Sequence, residues 1–163
     1  INGNQKNSNE INIFIPLTFL VLVFSQIVIG AFVSGMDAGK IYNSWPLMGE
    51  TYFPSDNSLS SLFKLSAFSD PSLVQFLHRN LAYIITIFYL FILFKIYKER
   101  IYLLYKSINF LGFFIFLQIV LGVLTVLHGA QLYLAAMHQL SSVFLVSASV
   151  YFLFINQKSN QQL

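Results

Sequence analysis

The strongest constraint on the fold is a run of 51 residues between Lys106 and Lys158 that contains no Asp, Glu, Lys or Arg. A membrane-spanning helix needs about 20 mostly apolar residues, so this run is long enough for two spans. Charged residues make up 9% of the chain and hydrophobic residues 56%, whereas roughly 25% of an average soluble domain is charged. So few charges could not cover a soluble fold, and the sequence predicts an integral membrane protein.

The remaining spans follow from the same reasoning. Two further segments are almost free of charge, and the short polar joint 128–131 divides the long run in two. The predicted fold is all-α, an integral membrane four-helix bundle made of two repeated helical hairpins. Its predicted spans are 11–33, 73–94, 108–127 and 134–155, with a polar linker over 1–10, an outer loop over 34–72 and a polar tail over 156–163.

An internal repeat supports the division into two hairpins. Gln26–Gly30, with the sequence QIVIG, matches Gln118–Gly122, with the sequence QIVLG, and in both copies a histidine lies near the start of the following helix. We therefore expect the two hairpins to share one design.

Basic residues predict the orientation, because cytoplasmic loops of membrane proteins are enriched in Lys and Arg. Six of the nine basic residues fall on the side that holds both predicted tails and the second connection. Both termini are therefore expected on the cytoplasmic or matrix side. The outer loop on the opposite side is 39 residues long, and loops of that length are usually functional or disordered. Its aromatic first part favours an ordered cap, whereas its Ser- and Asn-rich part, 55–61, would suit a flexible connector.

Two histidines are expected at the same depth in the bundle. His78 and His138 each lie roughly 6 to 8 Å inside a helix that starts on the outer side, and Gly30 and Gly122 share this layer. Small residues flank both histidines, which would suit a flat iron macrocycle with one imidazole on each face. The alternatives are interfacial histidines that bind carbonyls or water, and a zinc site that would lack further ligands. His128 is interpreted as a loop histidine.

Arg79 is the one charged residue embedded in a predicted span. A guanidinium at this level would be a natural counter-charge for a heme propionate. The alternative is that Arg79 only marks the membrane boundary.

Two classes of function are excluded by composition. The chain has no cysteine, so disulfides, thiolate metal sites and thiol nucleophiles are ruled out. Its net charge of +3 is small and scattered, so no nucleic acid partner is expected.

Several stretches of the chain resemble heme A synthase of the mitochondrial and alphaproteobacterial type, and in particular its C-terminal half. The first two are the glycine-rich run GAFVSGMDAG at 30–39 and YNSWPLMG at 42–49. The others are VQFLHR at 74–79, the segment 118–127 that begins with the second repeat, and LAAMHQ at 134–139.

The resemblance implies that His78 and His138 ligate a heme b, with Arg79 at a propionate and with Gly30 and Gly122 letting their helices approach the ring. In this family a glutamate three positions before the first histidine of the N-terminal half accompanies oxidation of heme O to heme A. The matching position here is Gln75, so no catalytic residue is assigned to this chain. The polar start, which lacks an initial Met, is expected to be the linker of a fragment.

The partners that the resemblance implies are a lipid bilayer, the N-terminal half of the same enzyme, heme O and heme A, and heme O synthase, with a homo-oligomer also expected. The membrane would be the bacterial inner membrane or the mitochondrial inner membrane. Two alternatives remain open: a stand-alone bis-histidine b-type cytochrome that carries electrons, and a heme-free transporter or assembly subunit.

Overall fold

A computed structural model describes residues 10–160 and gives side chains as far as Lys158. Four long helices, α1 to α4, cover Phe14–Gly35, Pro71–Lys98, Tyr105–Leu127 and Leu132–Asn160. All four are long and apolar enough to cross a membrane, and the described residues form no β-sheet. The predicted all-α, four-helix membrane fold is confirmed. Residues 1–9 of the predicted linker and 161–163 of the predicted tail lie outside the described residues.

The helix ends follow local sequence signals. The Asp70 carboxylate accepts a hydrogen bond from the Leu73 backbone N–H at 3.0 Å, and Pro71 occupies the first helical position of α2, where the missing N–H costs nothing. The connection between α3 and α4 turns sharply at Gly129 and Ala130, both with positive φ.

The helices form a closed ring in which each packs on its neighbours in chain order, and α4 also packs on α1. The hairpins α1–α2 and α3–α4 are the closest pairs, as the repeat predicts. Helices α2 and α4 therefore face each other diagonally across the bundle.

The packed core fills only one end of the bundle, the end where α1 and α3 begin and α2 and α4 finish. It is built from large aliphatic and aromatic residues on all four helices and on the segment before α3: Phe19, Val23, Ile85, Ile92, Ile96, Leu104, Ile108, Leu111, Leu145 and Phe152. The outer half of the bundle, where the histidines lie, has no comparable cluster among the described residues.

A buried polar pair closes the core end. The Asn156 side chain accepts a hydrogen bond from the Ile11 N–H at 3.0 Å and donates one to the Ile11 carbonyl at 2.9 Å. Both residues are almost fully buried. Helix α4 continues to Asn160, so residues 156–160 of the predicted polar tail are helical. Within this last part of α4, Asn156 finds its partners on the backbone just before α1.

The outer loop is a folded cap with three short 3₁₀ helices, Ala38–Lys40, Leu59–Phe63 and Leu65–Ser69. The Asp56 carboxylate ties it together by accepting hydrogen bonds from the Tyr42 hydroxyl at 2.9 Å and the Ser72 hydroxyl at 2.6 Å.

Candidate functional site: a histidine pair across the bundle

His78 and His138 face each other across the diagonal of the bundle. His78 is seven residues into α2 and His138 six residues into α4, so both lie about 10 Å from the capped end. Their ring centroids are 6.4 Å apart and their planes are inclined by 83°. The structure therefore brings together the two histidines that the sequence placed at one level.

This separation fits a single metal centre between the rings. Bonds from a metal to an imidazole nitrogen are about 2 Å long and the ring centre lies about 1 Å behind the nitrogen, so two imidazoles on opposite sides of one ion have centroids about 6 Å apart. In both rings Nδ1 is buried and has no hydrogen-bond partner among the described residues. Each imidazole thus keeps a nitrogen that the described protein groups leave unused.

A heme iron takes four ligands from the porphyrin nitrogens and can take up to two more from the protein. Within residues 10–160, no group of three or more His, Cys, Asp and Glu side chains is arranged to hold a metal ion. Two imidazoles in an apolar helix bundle are a donor set that fits heme.

The fully buried core begins well beyond the histidines along their helices. Ile85 and Leu145, the first core residues of α2 and α4, each lie seven residues beyond the histidine of their helix. Nearer the cap, the residues that neighbour His138 on the same helix face are small: Ala135, Ser141 and Ser142.

Gly30 and Gly122 contact the histidines directly. A Cβ atom at Gly30 would lie 3.1 Å from His78 Cε1, and one at Gly122 would lie 3.1 Å from His138 Cε1. The structure thus places the two glycines against the imidazoles, each across its own hairpin. A contact of either glycine with the heme ring stays a prediction.

Arg79 is buried and directed at the cap. Its Nη1 donates to the carbonyls of Ser44 at 2.9 Å and Leu47 at 3.2 Å, and its Nη2 donates to the carbonyl of Tyr42 at 2.9 Å. Only Nε has no partner among the described groups. The predicted propionate contact is untested, and the contacts in the structure give Arg79 the role of fastening the cap to α2.

Gln75 adds to this fastening one turn earlier on α2. It is 2% exposed, and its amide donates to the Tyr42 carbonyl at 3.1 Å. A carboxylate at this position could not donate this bond. Sequence reasoning noticed the missing carboxylate but not the contact that the amide makes.

His128 lies apart from the pair. It is exposed, and its Nδ1 is 2.9 Å from the Leu124 carbonyl at the end of α3. The structure places it in the short connection, where the sequence expected a loop histidine.

The fold and the site together define an integral membrane four-helix bundle with a histidine pair on its diagonal helices. Comparison with known families is more specific. Residues 3–150 match the COX15-CtaA model, described as cytochrome oxidase assembly protein, and the chain belongs to this family.

Curated relatives carry the name heme A synthase. The chain is 42% identical over 156 residues to the protein of Pelagibacter ubique. This alignment covers 96% of the chain and 45% of the Pelagibacter protein. It is 36% identical over 150 residues to the Rickettsia bellii protein, at 88% and 44% coverage, and 32% identical over 149 residues to the Rickettsia africae protein, at 89% and 44%. The chain therefore spans less than half the length of these relatives. No solved structure matches it.

Proposed function

We propose that this chain is the heme b-binding, C-terminal half of a heme A synthase and that His78 and His138 are the axial ligands of its iron. The observation that carries the proposal is the 6.4 Å separation of the two rings across the bundle. The similarity to proteins named heme A synthase supports the enzyme class, and their greater length supports assignment to one half.

A bis-histidine heme supplies reversible one-electron transfer when it is bound. His78 and His138 would hold the iron from α2 and α4. Arg79 and Gln75 fix the cap over the outer end of the bundle. Since Gln75 replaces the family's catalytic glutamate, oxidation of heme O to heme A belongs to the N-terminal half. Heme O synthase would then deliver the substrate to that half, and both termini of this chain would face the cytoplasm or matrix.

The ligand assignment is tested on the purified chain after expression with heme. The wild type should give the spectrum of a low-spin b-type heme, and His78→Ala and His138→Ala should each abolish the low-spin form. His128→Ala is the matched control, because this third histidine is exposed and lies in the short connection. An unchanged low-spin spectrum in both His78→Ala and His138→Ala would refute the assignment.

The enzyme assignment needs a separate experiment. The corresponding half of the Pelagibacter ubique relative should be replaceable by this chain, and membranes of cells with the chimaera should accumulate heme A when heme O is supplied. A chimaera that is expressed, binds heme b and forms no heme A would instead favour an electron carrier.

A further inference from the structure

The repeated pentapeptides of α1 and α3 make the same two contacts with the histidine of their own hairpin. The Gln26 amide nitrogen donates to the carbonyl oxygen of His78 at 3.0 Å, and the Gln118 amide nitrogen donates to the carbonyl oxygen of His138, also at 3.0 Å. The two hairpins thus share this hydrogen bond as well as the repeated sequence.

The glycine of each repeat makes the second contact. At 3.1 Å from the imidazole Cε1, an added Cβ would be closer than nine in ten real Cβ contacts. Gln and Gly are four residues apart and therefore lie on one helix face. Each repeat touches the backbone of its histidine with the glutamine and the imidazole with the glycine.

We propose that Gln26 with Gly30, and Gln118 with Gly122, are positioning residues that fix the height and the ring plane of the two iron ligands from the neighbouring helix. This inference depends on the proposed function, because it assigns these residues to the orientation of axial ligands. Gly30 and Gly122 act on the iron through the imidazoles.

The two hairpins differ in the other partners of the glutamine amide. The Gln118 amide also donates to Ser141 Oγ at 2.6 Å, and Ser141 Oγ donates to the His138 carbonyl at 3.0 Å. The matching position in the first hairpin is Leu81, and the Gln26 amide nitrogen instead lies 3.3 Å from His78 Nε2. His138 therefore keeps a tie to its carbonyl when Gln118 is lost, whereas His78 keeps no equivalent hydroxyl.

The experiment compares the electron paramagnetic resonance of the ferric, heme-loaded chain with that of its variants. The g anisotropy of a low-spin bis-histidine heme depends on the angle between the imidazole planes, which is 83° here. Gly30→Ala and Gly122→Ala should each shift the largest g value while the heme stays low-spin. Gly35→Ala is the matched control on α1, because a Cβ there would meet nothing within 4 Å.

The glutamines are tested with Gln26→Leu and Gln118→Leu, which keep a side chain of similar bulk and remove the donor. Gln26→Leu should broaden or shift the g values more than Gln118→Leu does. When Gln118→Leu is combined with Ser141→Ala, the change in the g values should become as large as in Gln26→Leu. Ser25→Ala is the control, since Ser25 bonds only the carbonyl of its own helix at Val21 among the described groups.

The outcomes separate the two proposals. A wild-type chain with no low-spin signal refutes the proposed function and this inference with it. A normal wild-type signal that is unchanged in the glycine and glutamine variants refutes the inference alone.

Discussion

Arg79 Nη2 donates a hydrogen bond of 2.9 Å to the carbonyl oxygen of Tyr42, a residue 37 positions earlier in the chain. Through this contact the residue next to the histidine of α2 also fixes the cap above it. The cap is therefore attached to α2 at the residue that directly follows His78.

Replacing Arg79 with Met should release the first part of the cap. The three carbonyls that accept from the guanidinium would lose charged hydrogen bonds, each of which contributes about 1.5–3 kcal/mol. The backbone N–H groups of Met48 and Gly49, which donate to the Thr51 carbonyl at 2.7 Å and to the Ser44 hydroxyl at 2.8 Å, should therefore exchange at least about tenfold faster. Lys40→Met is the control, since Lys40 is exposed and pairs only with Asp37 among the described residues. Equal exchange in Arg79→Met and wild type would show that the cap does not depend on Arg79.

The cap should loosen in acid because of Asp56. Burial alone would raise the pKa of this carboxyl, but hydrogen bonds from Ser72 and Tyr42 lower it below its usual value. A lowered pKa in the folded state stabilises the cap above the unfolded pKa of about 3.9, and this contribution is lost as pH falls through the folded pKa. When hydrogen exchange of the cap is measured against pH, this loss of stability should appear below pH ~4. Asp56→Asn should flatten that profile, whereas Glu50→Gln, an exposed change elsewhere in the cap, should leave it as in wild type.

Asn156→Ala should lower the melting temperature of the purified chain. It leaves the N–H and carbonyl of Ile11 without their partner at a buried position, and each unsatisfied buried group costs about 1–3 kcal/mol. The neighbouring, exposed Gln157→Ala should have little effect. If both variants melt together with the wild type, the closure of the core end does not depend on this pair.

Gly112→Ala should destabilise the core end by about 1–3 kcal/mol through overpacking. An added Cβ would collide with the hydroxyl of Tyr89, which donates to the Ile108 carbonyl at 3.4 Å. Tyr89→Phe removes the colliding oxygen, so the double variant should recover part of the loss in a thermal melt. A Gly112→Ala chain as stable as wild type would mean that Tyr89 moves aside freely.

The sequence predicted the parts of this structure that depend on the contrast between apolar and charged segments. Runs without charge locate helices that can cross a bilayer, because the hydrocarbon core excludes charge. The repeat and the common depth of His78 and His138 then follow from counting residues along each helix. The division into two hairpins needed no contact information.

Several of the contacts that sequence reasoning missed are made to the backbone. Arg79 bonds three carbonyls, and every residue type offers a carbonyl, so these acceptors leave no signature in the sequence. Asn156 was assigned to a polar tail because its partner, Ile11, is 145 residues away. The Gln26 and Gln118 repeat was visible, but nothing in it shows that the glutamines reach the histidine backbone.

The confinement of the packed core to one end has a consequence for the proposed heme site. The aliphatic residues of the core pack at the end where α1 begins and α4 finishes, and none of them lies beside the histidines. If the histidine end binds heme as proposed, heme would complete one end of a bundle whose opposite end is already packed by the protein's own side chains.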